Sequence, residues 1–183
     1  MLPTRLHLLA LCFCAAFAAS CASGGDPAEA KRIFDQGVAA YDAKDYERAF
    51  KLFSSIEDGD LAAMRNVALM LRRGEGVPKD PKAAQEMYAR AASGGLATAS
   101  ADLGEMLLNG EAGPPDAKAA LPWLAAAAEA GHPIAAYELG TMYEDGNGVA
   151  KDLTTARQLY EMAASAGVED AKKRLGALSP PKP

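Results

Sequence analysis

The sequence predicts an all-α fold, an α-solenoid of stacked antiparallel helix pairs, and three observations carry that prediction. A motif returns with a fixed period of 36 residues. Each copy holds two apolar stripes at helical spacing. Alternating apolar and polar residues, the mark of a half-buried strand, are found nowhere in the chain.

The period shows first in three glycine-rich stretches. These are Gly74-Glu75-Gly76-Val77-Pro78-Lys79-Asp80, Gly110-Glu111-Ala112-Gly113-Pro114-Pro115-Asp116 and Gly146-Asn147-Gly148-Val149-Ala150-Lys151-Asp152. Their first glycines and their aspartates both step by 36. The apolar positions keep the step: Val67, Leu103 and Leu139; Met70, Met106 and Met142; Ala84, Ala120 and Ala156; Tyr88, Leu124 and Tyr160. Each copy ends at Gly95, Gly131 or Gly167. A glycine-rich loop before a helix can cradle phosphate on free backbone N–H groups. Three copies, with no Lys-Ser/Thr and no strand beside them, read instead as a turn between two helices, so no nucleotide is expected.

The elements follow in order. Asp26-Pro27-Ala28-Glu29 opens the first helix with a capping box. Gly37, Tyr41, Asp45, Tyr46, Ala49 and Phe53 then set small against large residues across a first helix pair. Asp80-Pro81 places a cap and then proline at the first helical position. Ala99, Leu103, Met106 and Leu107 mark a helix that Gly110 stops, and Asp116 caps the next, with Ala120, Leu124, Ala127 and Ala128 as its buried stripe. Pro122 falls inside that helix and is expected to remove a hydrogen bond and kink it. Trp123 beside it reads as packing, and His132-Pro133 as a helix boundary. A short helix over 169–178, with Ala171 and Leu175 on one face and Lys172, Lys173 and Arg174 on the other, suits the cap a stack needs. The expected organisation is a leader over 1–20, a linker over 21–25 and a repeat domain over 26–178. Its units run 26–59, 60–95, 96–131 and 132–167, the cap is 169–178, and the tail 179–183 is expected to be disordered.

Net charge is −5, which argues against nucleic-acid binding. The start of the chain differs from the rest. Arg5 precedes an apolar run over 8–19, and small residues follow, as in a secretory leader. Cys12 and Cys14 leave with it, so Cys21 remains alone in the exported chain and no internal disulfide can form. Past the leader, one histidine, His132, and one cysteine leave no His/Cys metal cluster and no Cys–His nucleophile, so no metal or cofactor is expected. Ser179-Pro180-Pro181-Lys182 spells S-x-x-K, but that chemistry needs a serine opening a helix, which two prolines forbid. No catalytic carboxylate pair stands out, and the chain is not expected to be an enzyme.

Two resemblances extend this reading. Ala18-Ala19-Ser20-Cys21 resembles the lipobox of bacterial lipoproteins, with Ala18 where that family usually has leucine. The resemblance implies lipidation at Cys21, and Ala22 after it implies the outer membrane; ordinary cleavage after Ala18 or Ser20 is the alternative. Several acyl chains, at about 0.8 kcal/mol per buried CH₂, would make the anchor durable. The stretch LGTMYEDGNGVAKDLTTARQLYEMAASAG over 139–167 resembles the Sel-one-like repeat, a relative of the tetratricopeptide repeat. It implies one tetratricopeptide-like unit followed by three Sel-one-like repeats.

By that resemblance the first helix of each pair lines a concave groove. The groove positions then fall on Phe34, Val38 and Tyr41; on Arg65, Leu69, Arg72 and Arg73; on Glu105, Leu108 and Asn109; and on Tyr137, Thr141, Glu144 and Asp145. This order is apolar, then basic, then acidic, and it suits an extended or helical peptide, with Arg72 and Arg73 able to pair with carboxylates. The expected function is a membrane-anchored adaptor or scaffold of the bacterial envelope that binds an envelope protein or peptide. The alternatives are an envelope enzyme of the β-lactamase-like type associated with cysteine-rich members of the family, or an assembly factor without a fixed client. This chain lacks the paired cysteines of that branch.

Overall fold

The computed structural model describes residues 26–178; Cys21, the leader, the linker and the tail lie outside them. The described residues form nine helices and no strand. They are α1 (Pro27–Asp42), α2 (Tyr46–Ser54), α3 (Leu61–Arg73), α4 (Pro81–Ser93), α5 (Ala97–Asn109), α6 (Ala117–Glu129), α7 (Pro133–Asp145), α8 (Leu153–Ser165) and α9 (Glu169–Ala177). Each helix packs on its neighbours in sequence, so consecutive pairs stack into an all-α solenoid. None of these helices is long and apolar enough to cross a membrane.

The repeated turn works by one repeated bond. The amide of Asp80 donates to the carbonyl of Leu71 at 2.9 Å, Asp116 to Leu107 at 2.8 Å and Asp152 to Tyr143 at 2.9 Å. The same aspartates then cap the second helices, accepting from the amides of Ala83, Ala119 and Thr154 at 2.9–3.0 Å. One residue thus closes the turn with its amide and opens the helix with its side chain. His132 caps α7 through Nδ1, which accepts from the Ala135 amide at 3.3 Å.

One local expectation needs correction. Asp26 caps α1, but Glu29 does not return to complete the box. Its carboxylate takes two bonds from Arg32, at 2.9 and 2.6 Å, because a guanidinium one turn on offers a charge-assisted fork. Pro122 lies inside α6, as expected, and the helix runs on either side of it from Ala117 to Glu129. The proline faces solvent, so the carbonyl that loses its donor remains near water rather than in the core.

The core is built from the positions that keep the period. Val67, Leu103, Leu139, the three methionines, Ala84, Ala120, Ala156, Tyr88, Leu124 and Tyr160 are all buried. Small residues on each first helix receive a large one from its partner. A Cβ on Gly37 would stand 2.6 Å from the Phe53 ring, on Gly104 2.5 Å from Leu124 and on Gly140 2.7 Å from the Tyr160 ring. Each such large side chain contributes about 1.5–3 kcal/mol by leaving water. Trp123 is half-buried against the cluster around Tyr88 and Met106.

Candidate functional site

Besides their own partners, the first helices α5 and α7 touch each other, and no two second helices do so to the same extent. The stack therefore closes toward its first helices, and their outward side chains form the inner face. Three stretches of that face differ in chemistry.

At the seam of α1 and α3 lies a small apolar pocket of about 160 Å³, lined by Val38, Tyr41, Phe53, Asn66 and Leu69. Val38 is exposed beside it. Phe34 is not part of this pocket. It packs on Phe53 with ring centroids 5.5 Å apart and lines a wider cleft of about 760 Å³, with Pro27 and Ile56, at the open N-terminal end of the stack.

The middle of the face is an ion lattice across units. Arg65 Nε donates to Asp102 at 2.6 Å. Arg72 forks onto both oxygens of Glu111, with Nε at 2.7 Å, and its Nη1 reaches Glu105 at 3.2 Å. The Arg72 side chain is 15% exposed. The bond from Glu111, above all, raises its pKa, and the same bond lowers that of Glu111. Burial raises the pKa of Asp102 and outweighs the opposite pull of Arg65. The bidentate pair expected of Arg72 exists, but its carboxylate belongs to this chain. Arg73 is exposed, and it donates to the Tyr41 hydroxyl at 2.9 Å while that hydroxyl donates to Glu75 at 2.6 Å. Burial first, then Glu75, raises the Tyr41 pKa.

The far end is acidic and aromatic. Tyr137 packs on Tyr160 with centroids 5.8 Å apart. Glu144 accepts from the Tyr160 hydroxyl at 2.6 Å and from Arg174 at 3.3 Å. Thr141, half-buried, donates to the carbonyl of Glu138 one turn back in α7 at 2.7 Å. Leu108 is half-buried against the C-terminal core cluster, and Asn109 and Asp145 are exposed. Burial above all, with Glu105 next, raises the pKa of the Glu138 carboxyl to about 7.

Asn66, Asp102 and Glu138 sit one period apart on this face and were missed from the sequence, which pointed to their neighbours Arg65, Leu69, Glu105, Tyr137 and Thr141. The step of 36 from Asn66 is the signal that finds them. Among the described residues no three His, Cys, Asp or Glu side chains stand together as a metal site.

Tyr88 and Tyr160 hold the same position two periods apart, with different hydroxyl partners. Tyr160 has Glu144; the fully buried Tyr88 hydroxyl lies near Arg72, Arg65 and Asp102 but makes no hydrogen bond of normal length and geometry. Tyr88→Phe is therefore expected to leave stability unchanged or raise it by up to about 1 kcal/mol, whereas Tyr160→Phe loses about 1.5 kcal/mol with a charged acceptor. Urea denaturation of both variants checks this, and equal losses would contradict it.

Stacked helix pairs with a continuous inner face define a helical-repeat scaffold. The Sel1 repeat model matches residues 33–56, 61–96, 97–132 and 133–168, and the chain belongs to the Sel1 repeat family. Proteins of that family generally mediate protein–protein interactions and are typically non-enzymatic. The chain is similar to a Sel1 repeat protein from Oxalobacter formigenes, at 32% identity over 79% of this chain and 59% of that one, with a TM-score of 0.73. It is also similar to c5321, a protective antigen of uropathogenic Escherichia coli with the same repeat fold. There the identity is 31% over 81% of this chain and 33% of that one, with a TM-score of 0.77. A third likeness is to the immunity protein Pa5087 from Pseudomonas aeruginosa, at 29% identity over 83% of this chain and 58% of that one, with a TM-score of 0.57. The chain thus spans less than two thirds of each of these proteins. Among curated proteins, none matches it significantly.

Proposed function

We propose that this chain is a membrane-anchored adaptor of the bacterial cell envelope, which holds another envelope protein or a segment of it along the inner face of the stack. The observation that carries the reading is the α1/α3 pocket, where Val38, Tyr41 and Leu69 offer an apolar socket on the inner face. A socket of this kind suits a side chain of a protein partner better than a polar metabolite. The lipobox-like run ending at Cys21 supports a lipid anchor, with the outer membrane as the place implied by Ala22.

Photo-crosslinking in the envelope tests the reading. Crosslinkers at Val38, Leu69 and Leu108 are expected to capture one and the same protein. A crosslinker at Lys118, exposed on the second helix α6, is not. The product is expected in the membrane fraction and, with Cys21→Ala, in the soluble one. Capture from Lys118 alone, or no discrete product from the inner face, would sink the adaptor reading.

A further inference from the structure

The charges of the inner face are unevenly shared. Between α3 and the α5 unit the charges are paired, with Arg65 on Asp102 and Arg72 shared by Glu105 and Glu111, which leaves one negative charge in excess. A partner's charge arriving there must displace a pair already made, which brings little net gain. The two flanks are different. On the N-terminal side lies the apolar socket of Val38, Tyr41, Phe53, Asn66 and Leu69. On the C-terminal side, α7 presents Glu138, Glu144 and Asp145. Arg174 meets Glu144 there, but Glu138 makes no ion pair within 4.0 Å among the described residues; the paired carboxylates Glu105 and Asp102 act on it from one side and Arg72 partly offsets them. A carboxylate largely withdrawn from water, flanked by two more and lacking its own cation, is the complement of a cationic side chain.

We infer that the occupant of this face is an extended basic segment of another protein, with one bulky apolar side chain in the α1/α3 socket and a lysine or arginine on Glu138. The inference rests on the adaptor reading and adds the chemistry of the partner. Its spacing follows from the stack. Neighbouring helices pack about 8–10 Å apart, and from the α1/α3 seam to Glu138 on α7 is two and a half such steps, or about 20–25 Å. An extended chain covers that distance in about six to eight residues. The middle, whose arginines are already paired within the chain, selects little among the intervening residues. The net charge of −5 favours approach of such a segment at long range.

Short random peptides displayed on phage and panned against the full chain provide the test. The enriched peptides are expected to carry a bulky apolar residue and a lysine or arginine about six to eight positions apart. Binding of the synthetic consensus peptide is expected to fall by about tenfold with Glu138→Gln and also with Val38→Asp. Val38 is exposed, so its replacement leaves the core intact. Acidic consensus peptides, binding indifferent to both substitutions, or no enrichment at all would overturn the inference. The crosslinking experiment separates the two levels. A client captured from Val38 and Leu69 that has no such segment removes the basic-peptide inference alone, whereas capture of nothing removes the adaptor reading with it.

Discussion

Alanine at Gly76 is expected to cost about 3 kcal/mol and to loosen the first helix pair from the second. Gly76 has a φ of +70°, in the left-handed region, where a side chain costs about 1 kcal/mol. Space costs more. A Cβ there would run into the backbone carbonyl group of Tyr46 and stand 2.6 Å from the Glu47 amide nitrogen, and backbone at the start of a helix cannot rotate away as a side chain can. The turn of the second unit is thus the spacer that seats α2. Gly148 repeats the arrangement two periods on, where a Cβ would stand 2.7 Å from the carbonyl carbon of Ala117. The control is Gly95→Ala. Its φ is +95° but nothing lies within 4 Å of the added carbon, so the loss is expected to be about 1 kcal/mol. In a stack where each unit touches only its neighbours, damage stays local. Hydrogen exchange should therefore speed up in α1 and α2 well before α7 and α8. Uniform acceleration, or equal losses in Gly76→Ala and Gly95→Ala, would show that the turn does not set the spacing.

Much of the fold was legible because the period is a packing rule. Each position that keeps the step of 36 returns to the same depth, so burial of Tyr88, Leu124 and Tyr160 could be read before any coordinates. Caps were legible for the same reason, since Asp80, Asp116 and Asp152 sit where a helix must begin. The ion lattice was not. Arg65 meets Asp102 across 37 positions, and Arg72 meets Glu105 across 33 and Glu111 across 39. These separations straddle the period, and they depend on how far one unit is rotated on the next and on where the glycine turn carries Glu111. Sequence alone showed Arg72 as a cation in want of a carboxylate. It could not show that the next unit delivers one. The Glu29–Arg32 pair was missed for a smaller reason: two local partners competed for one carboxylate, and the charged one won.

Glu138 makes the stability of the stack fall as pH rises. Its folded pKa, about 7, lies above the ordinary value of 4.5, so below pH about 4.5 the group is protonated in both states and costs nothing. Between about 4.5 and 7 the unfolded chain releases the proton while the folded one keeps it, and folding grows steadily less favourable. Above about 7 both states are ionised and the loss is complete, at about 2 kcal/mol once partial exposure is allowed for. Burial, Glu105 and Asp102 all push in this direction, and Arg72 pushes against them from α3. Glu138→Gln removes the titration. The variant is expected to gain about 2 kcal/mol over the parent at pH 8 and to match it at pH 4. Urea denaturation at the two pH values decides, and parallel curves for parent and variant would refute the assignment. A more stable glutamine protein would show that this acid weakens the fold it sits in, the pattern expected of a residue kept for contact rather than for packing. A cation brought by a partner relieves the same repulsion, so the basic consensus peptide should raise the stability of the parent more at pH 8 than at pH 5, and should lose that pH dependence with Glu138→Gln.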